Sequence, residues 1–212
     1  VLADRRVIGP LLEELARAVR TFYGTDPRLS PDYGRIVNDR HFDRLLAGLA
    51  GGGRIVLGGD HDRAARYLAP TLLTDVPADS PLMRDEIFGP LLPVLPFDSV
   101  EAAAASLRAR PHPLALYLFT RDRALADRLL ETLPSGGACV NDTLVHMMNP
   151  RLPFGGIGES GIGAYHGKTG FDAFSHFRSV LRRPARWEIP FRYPPYRRPL
   201  SLLRRFLPFL LD

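Results

Sequence analysis

The stretch Arg84-Asp85-Glu86-Ile87-Phe88-Gly89-Pro90 stands directly before an apolar run that covers residues 91–97. The glycine gives the backbone conformational freedom, and the proline after it disfavours a helix at the preceding residue. We therefore expect the chain to enter a strand here, with Glu86 and Phe88 held at its mouth. A carboxylate can accept hydrogen bonds from sugar hydroxyls, and an aromatic ring can flank a flat heterocycle. The alternative, which this stretch alone favours, is a surface loop whose Phe88 is anchored in the core.

Helices and strands alternate after the apolar run. Residues 91–97, 114–119 and 138–141 are predicted strands, and the segments between them have helical patterns. This order predicts two right-handed crossovers and a parallel βαβαβ core. We expect Asp98 to begin the first of these helices in the manner of a capping box, and Thr120 to cap the second. The predicted fold class is therefore α/β.

The part of the chain before this region also carries regular patterns. Apolar residues at three- and four-residue spacing predict a helix over residues 8–22, which should end at Gly24. A second helix is predicted over residues 39–49, and a strand over residues 54–57. A short extended segment is expected within residues 68–76.

A second motif lies downstream, where residues 149–168 read Asn-Pro-Arg-Leu-Pro-Phe-Gly-Gly-Ile-Gly-Glu-Ser-Gly-Ile-Gly-Ala-Tyr-His-Gly-Lys. This motif and Glu86–Pro90 resemble two signature blocks of the aldehyde dehydrogenase superfamily, and they occur in the order expected for it. The ending Tyr-His-Gly-Lys is similar to the class 3 branch, which includes fatty and coniferyl aldehyde dehydrogenases. The resemblance runs to residue 196 and covers only the C-terminal half of the family's chain.

The resemblance implies a division of the chain into two parts. Residues 1–183 would form the C-terminal part of the catalytic and oligomerisation region, with a dimerisation strand near Phe177, and we expect a homodimer. Residues 184–212 would form a C-terminal tail rich in proline, basic and apolar residues. The implied fold is a partial aldehyde dehydrogenase catalytic domain built on the parallel βαβαβ core.

The resemblance also implies cofactor and substrate contacts. The complete enzyme would use NAD or NADP to oxidise an aldehyde to a carboxylic acid. By resemblance, Glu86 hydrogen-bonds the nicotinamide ribose, Phe88 packs near the nicotinamide ring, and Phe154 lines the aldehyde tunnel. The glycine block that follows Phe154 is expected to shape the wall of the active site.

No catalytic residue is assigned within this chain. The family attacks the aldehyde with a cysteine thiolate, passes hydride from the thiohemiacetal to NAD(P), and releases the acid with water. Cys139 is the only cysteine, but it lies in a predicted buried strand without a basic neighbour in sequence, so we expect a core residue. The resemblance implies that the nucleophile, the general base and the cofactor domain lie before Val1, and we expect this chain alone to be inactive. The alternative is a non-catalytic truncated product that acts as a dimer partner or a membrane-associated module.

A glycine block, a histidine and an asparagine have structural interpretations. Gly156–Gly161 formally matches G-x-G-x-x-G, but no predicted strand precedes it and no acid stands at the required offset, so we do not expect a dinucleotide fingerprint. Its glycines should instead permit a tight backbone path beside a cavity, and His166 is expected to orient this loop. Asn141 ends a predicted strand, and we expect its amide to tie down the loop that follows.

Composition narrows the partners and the location. The net charge is +5 and the pI is about 9.8. The basic residues are scattered and dense only over residues 178–205, so we expect no nucleic-acid partner. The six histidines show no metal-ligand spacing and the single cysteine excludes a Cys-rich zinc site, so no metal is expected. No signal peptide and no apolar run of about 20 residues is visible, and we expect a cytoplasmic protein.

The end of the chain leaves two alternatives open. Residues 200–211 mix leucine and phenylalanine with arginine. Such a segment would lie on an anionic membrane surface as a peripheral element, or it would pack over an apolar groove of the body.

We predict that the body folds without the tail. A chain shortened to residues 1–183 should keep the circular dichroism spectrum of the full chain, because repeated prolines deny the tail a regular ladder. If the tail binds membranes, only the full chain should sediment with anionic vesicles, and salt should weaken that binding steeply. Global unfolding of the shortened chain would contradict the accessory role, and equal sedimentation of both chains would contradict the membrane contact.

Overall fold

The computed structural model describes residues 1–186 and Pro194. In chain order, the described residues form nine strands and seven helices: β1 (Leu2–Asp4), α1 (Ile8–Tyr23), α2 (Asp39–Ala50), β2 (Arg54–Leu57), β3 (His61–Asp62), β4 (Tyr67–Leu68), β5 (Thr71–Thr74), α3 (Pro81–Arg84), β6 (Leu91–Pro93), β7 (Leu95–Phe97), α4 (Val100–Arg108), β8 (Ala115–Leu118), α5 (Arg123–Thr132), β9 (Gly137–Val140), α6 (Val145–Met148) and α7 (Gly167–Ala173). The predicted α/β class is confirmed, and every helix and strand expected from the sequence before residue 84 has a counterpart here.

Residues 85–90, which follow α3, form a loop that we call the Glu86 loop. The apolar run after it forms two short strands, β6 and β7, and each pairs with a different neighbouring strand. β6 pairs in parallel with β5, which also pairs antiparallel with β2. The Val94 N–H donates to the carbonyl of Leu73 (2.8 Å), whereas the Leu95 N–H donates to the carbonyl of Val1 (2.9 Å). Successive amides of a strand point to opposite sides, so the run leaves the β5 ladder and continues as β7 in a parallel ladder with β1.

The predicted parallel pairing is confirmed for the last two strands of the chain. β8 and β9 pair in parallel from Ala115 with Gly137 to Leu118 with Val140, and α5 makes the crossover between them. The neighbour of β7 differs from the expected one. Its parallel partner is β1, whereas the predicted core placed it beside β8. Strand order in an α/β sheet is set by packing across the chain, so adjacent strands in sequence need not be adjacent in space.

The main core lies between α2 and the strands that precede the Glu86 loop. Phe42 and Leu45, which lie three positions apart on α2, are 0% and 1% exposed. They pack in one cluster with Leu68, Leu73, Val76, Leu82 and Leu91. Asn38 caps this helix by accepting a hydrogen bond from the N–H of His41 at 2.8 Å. The buried face of α2 therefore fixes the helix on the sheet.

Aromatic contacts join the segment before α2 to β4. The Tyr33 hydroxyl donates to the carbonyl of Leu68 at 2.6 Å. Burial, and to a smaller degree the neighbouring Tyr67, raises the pKa of Tyr33 above its ordinary value. The guanidinium groups of Arg28 and Arg35 lie 4.9 and 5.1 Å from the centre of the Tyr67 ring. These cation–π contacts hold the segment against β4.

Two helix caps differ from the sequence-based expectation. Ser99 caps α4, because its side chain accepts from the Ala102 N–H. Asp98, the expected cap, forms an ion pair with Arg5 instead. Asp122 caps α5, whereas Thr120, two residues earlier, accepts from the N–H of Asp122 at 3.1 Å. Ser and Asp are equally good caps, so local sequence could not choose between neighbours.

The described residues after α7 form no strand. Phe174 and Phe177, at the place of the expected dimerisation strand, are 94% and 74% exposed. An edge strand acquires its ladder only beside a partner, so the dimerisation strand stays a prediction. Apart from Pro194, the tail from residue 187 onward lies outside the described residues, and so do the alternatives for residues 200–211. Among the described helices, none is long and apolar enough to cross a bilayer.

We predict that Phe42→Ala lowers the free energy of unfolding by about 3–5 kcal/mol, since it removes a fully buried ring and leaves a cavity. Urea denaturation followed by circular dichroism measures this loss. Phe22→Ala is the matched control, because Phe22 is 67% exposed on α1 and its truncation should cost about 0.5 kcal/mol or less. Equal losses in the two variants would show that the α2 cluster is not the core of the fold.

Candidate functional site

The loop before β6 exposes both side chains that the sequence singles out. Phe88 is 78% exposed, and Glu86 is exposed as well. Ile87, which lies between them, packs against the core cluster. The alternative in which Phe88 anchors the loop in the core is therefore wrong, since Ile87 provides the anchor and the aromatic ring faces outward.

The backbone at Phe88 is left-handed, with a φ of +47°. This conformation is unfavourable for a bulky side chain and persists only where the surroundings impose it, which happens most often at functional sites. In the described part of the chain, the Glu86 carboxylate has no hydrogen-bond or ion-pair partner. The loop thus presents an unused acceptor and an exposed ring, which suits a ligand that contains hydroxyl groups and a flat ring.

Two side chains of α2 contact the backbone carbonyls of this loop. Arg44 donates to the carbonyls of Glu86 (Nη1, 3.1 Å) and Ile87 (Nη2, 2.5 Å). His41 Nε2 lies 2.6 Å from the carbonyl oxygen of Phe88. Sequence reasoning missed both α2 residues. Their spacing of three positions on one helix face was the available signal, but it does not reveal which distant segment they meet.

Phe154 lies in a separate cluster of rings. It forms a two-bond bridge with Tyr165, with N···O distances of 2.9 and 3.0 Å. The rings of His146 and His166 lie 6.0 and 6.1 Å from the Phe154 ring. His146 Nε2 and His166 Nδ1 are buried and have no hydrogen-bond partner within the described residues. An apolar ring beside two imidazoles that each have one unpaired nitrogen suits a binding wall that is completed by other groups.

The glycine block packs backbone against backbone. A Cβ at Gly156 would lie 2.1 Å from the carbonyl oxygen of Ser160, and one at Gly155 would lie 2.0 Å from that of Gly163. Only glycine fits at such distances. The segment leads into a 3-10 turn, Gly158–Ser160, and not into the helix that a dinucleotide fingerprint opens. Its glycines therefore serve the tight path that the sequence suggests.

Cys139 lies in the core, as expected, but its surroundings differ from the expectation. It is 8% exposed, and its Sγ lies 3.2 Å from Nδ1 of His146, which is also 8% exposed. No basic residue neighbours the thiol in sequence, but the turn after β9 brings His146 back to it in the fold. The thiol can donate to this nitrogen, and both groups are shielded from solvent.

Asn141 performs a different task from the one expected. Its Oδ1 accepts from the N–H of Thr120, and its Nδ2 donates to the carbonyl of Thr120, both at 2.9 Å. The amide therefore ties the end of β9 to the segment after β8, and not to its own following loop. Parallel pairing of these strands places their carboxyl ends side by side, which explains the contact.

Two clefts of the described residues lie away from the predicted binding residues. A cleft of about 380 Å³ lies between the end of α1 and β4, and one of about 210 Å³ lies beside β8, but neither includes Glu86, Phe88 or Phe154. No hydrogen bond or ring contact of the described residues joins Phe154 to the Glu86 loop. No group of three metal-ligating side chains occurs in the described part of the chain. Glu86 and Phe88 therefore lie on an exposed loop, whereas Phe154 is half-buried in a separate cluster.

Comparisons with known proteins place this geometry in a family. The aldehyde dehydrogenase family matches residues 1–180. Aldehyde dehydrogenase family 3 member H1 of Arabidopsis thaliana is 47% identical over 201 residues, which are 93% of this chain and 42% of the relative. The dimeric NADP-preferring aldehyde dehydrogenase of Rattus norvegicus is 44% identical over 197 residues, which are 92% of this chain and 43% of the relative.

A solved structure shows the same arrangement. Staphylococcus aureus AldH in a substrate-bound state superposes with a TM-score of 0.86 at 44% identity, and the match covers 97% of this chain and 45% of that one. This chain thus spans less than half the length of these relatives. Because the family match extends over most of its residues, the chain belongs to the aldehyde dehydrogenase family and resembles its class 3 members.

Proposed function

We propose that this chain is the C-terminal part of an NAD(P)-dependent dehydrogenase that oxidises aldehydes to carboxylic acids. The observation that carries the proposal is the exposed pair of Glu86 and Phe88 on a left-handed loop at the start of β6. The family membership supplies the reaction class. The nicotinamide ring, when bound, supplies the hydride acceptor.

Each predicted residue has a chemical task in this proposal. The Glu86 carboxylate accepts hydrogen bonds from the ribose hydroxyls and thereby fixes where the nicotinamide ring lies. The Phe88 ring would pack near that ring and shield it from water. Phe154 provides an apolar wall on the aldehyde side, where its bridge to Tyr165 holds it. Fixed placement of the reacting groups accelerates hydride transfer.

The cofactor and the assembly follow the relatives. The rat relative is described as dimeric and NADP-preferring, which supports a nicotinamide dinucleotide, NAD or NADP, and a homodimer here. The exposed rings of Phe174 and Phe177 support an edge that another chain covers. We also propose a cytoplasmic location, with residues 200–211 either in peripheral contact with a membrane or packed over the body.

We further propose that this chain does not catalyse the reaction alone. Its single cysteine is buried against His146, so an aldehyde cannot reach the thiol without displacing the core. Glu86 and Phe88 also lie on an exposed loop, where water competes with every polar contact. A non-catalytic role as a dimer partner is the second candidate, which the exposed Phe174 and Phe177 favour.

We predict that the 212-residue chain forms no NADH from NAD with hexanal or benzaldehyde. Absorbance at the nicotinamide band measures this, with a complete class 3 enzyme as the positive control. NADH formation that disappears in Cys139→Ala would contradict the prediction and make Cys139 a nucleophile.

We predict that Glu86→Gln in the complete enzyme slows hydride transfer by roughly tenfold to a hundredfold, because a neutral amide holds the ribose less firmly than a carboxylate does. Capture of the aldehyde by the cysteine should remain largely intact. Single-turnover kinetics separate the two steps. Glu131→Gln, at an exposed carboxylate on α5, is the matched control. Equal losses in both steps would show that Glu86 supports the fold and not the cofactor.

A further inference from the structure

We infer that Arg44 and His41 of α2 are positioning residues, which hold the Glu86 loop in the shape that the cofactor meets. This inference rests on the proposed function of Glu86 and Phe88. Neither α2 residue needs to touch the cofactor in this role. They act through the three consecutive backbone carbonyls of residues 86–88.

Arg44 acts on two neighbouring carbonyls at once. Its Nη1 donates to the Glu86 carbonyl and its Nη2 to the Ile87 carbonyl, at 3.1 and 2.5 Å. The planar guanidinium carries donors at fixed angles, so two bonds from one group define the orientation of the peptide between the two carbonyls. A positively charged donor also makes stronger hydrogen bonds than a neutral one.

His41 extends this contact to the third carbonyl, and its chemistry fixes its tautomer. The Phe88 carbonyl only accepts, so Nε2, at 2.6 Å, must carry the proton. Nδ1 faces the Nε and Nη2 groups of Arg44, both at 3.3 Å, which only donate, so Nδ1 must accept. The neutral Nε2–H form satisfies both sides, and the imidazole connects the guanidinium to Phe88.

The helix that carries these side chains is itself packed into the core. Phe42 and Leu45, adjacent to them on α2, are fully buried. A Cβ at Gly89 would lie 2.5 Å from a methyl group of Leu45, so only glycine lets the loop approach this face of the helix. The loop therefore rests against a helix that is held in place by the core.

The loop needs such support at one place in particular. Its ends are fixed by backbone bonds, from the Asp85 N–H to the Pro81 carbonyl and from the Thr71 N–H to the Pro90 carbonyl. Between these ends, Phe88 has its unfavourable left-handed φ of +47°. Such a conformation persists only when surrounding contacts overdetermine it, and the bond from His41 acts on that same residue.

The test measures how readily the loop opens in the 212-residue chain. Endoproteinase Glu-C cleaves after Glu86 once the loop opens, and cleavage after Glu101 on α4 is an internal reference. Arg44→Met keeps an unbranched stem but removes the donors, so cleavage after Glu86 should become roughly tenfold faster while the reference rate stays unchanged. Arg40→Met, at an exposed position of the same helix, is the matched control and should behave as the unchanged chain.

Two variants of His41 distinguish positioning of the loop by hydrogen bonds from simple filling of space. His41→Gln retains one donor and one acceptor, so cleavage after Glu86 should stay within about twofold of the original rate. His41→Leu has neither and should be cleaved several-fold faster at this site. Rescue by glutamine alone is a result that a purely space-filling role would not produce.

Equal cleavage after Glu86 in Arg44→Met and Arg40→Met would overturn the inference. If Arg44→Met instead accelerates cleavage at Glu86 and Glu101 alike, the whole fold has loosened, and the His41 variants decide. Faster cleavage of the leucine variant at Glu86 alone then supports positioning, and unchanged cleavage overturns it.

A second measurement distinguishes this inference from the proposed function. In the complete enzyme, Arg44→Met should slow hydride transfer and leave aldehyde capture unchanged, as Glu86→Gln does. If the loop opens in Arg44→Met while Glu86→Gln leaves hydride transfer unaltered, the cofactor role of Glu86 fails and the positioning role stands. If Glu86→Gln slows hydride transfer but Arg44→Met changes neither measurement, the positioning role fails alone.

Discussion

The packing of Phe42 and Leu45 on the sheet is the contact on which both the core and the candidate site depend. These side chains join α2 to β4, β5 and β6 in one buried cluster. The same helix offers Arg44 and His41 to the loop that leads into β6. Because core packing is dense and has little tolerance for displacement, a helix fixed in this way gives the loop a stable reference. The loop can therefore carry exposed polar and aromatic groups without losing its shape.

Much of the fold could be predicted from the sequence because its signals are local. Helical spacing predicts α1 and α2, and the alternation after residue 90 predicts the parallel pair of β8 and β9. Errors occur where the answer depends on distant partners. The pairing of β7 with β1 joins residues more than ninety positions apart, as the bond from the Leu95 N–H to the Val1 carbonyl illustrates. No periodicity within either strand contains that information.

The candidate site shows the same division. Resemblance predicts Glu86, Phe88 and Phe154 as binding residues, and the structure shows the first two exposed on one loop. It also shows what local reading could not, namely that Ile87 and not Phe88 anchors that loop. The approach of His146 to Cys139 depends on a turn whose geometry includes left-handed residues at Asn141 and Leu144. Non-glycine residues adopt that conformation so seldom that it could not be predicted from the sequence.

The amide pairing between Asn141 and Thr120 has a consequence for the chemistry of storage. Its Nδ2 donates to a backbone carbonyl, and its Oδ1 accepts from the adjoining N–H. Slow hydrolysis of the side-chain amide, the usual ageing reaction of asparagine, would leave a carboxylate that can only accept. A carboxylate oxygen would then face the Thr120 carbonyl oxygen. The hydrogen bond that joins the ends of β8 and β9 at this point would be replaced by repulsion between the two oxygens. A gain of one dalton at this residue would thus mark old preparations in which these two strand ends have begun to separate.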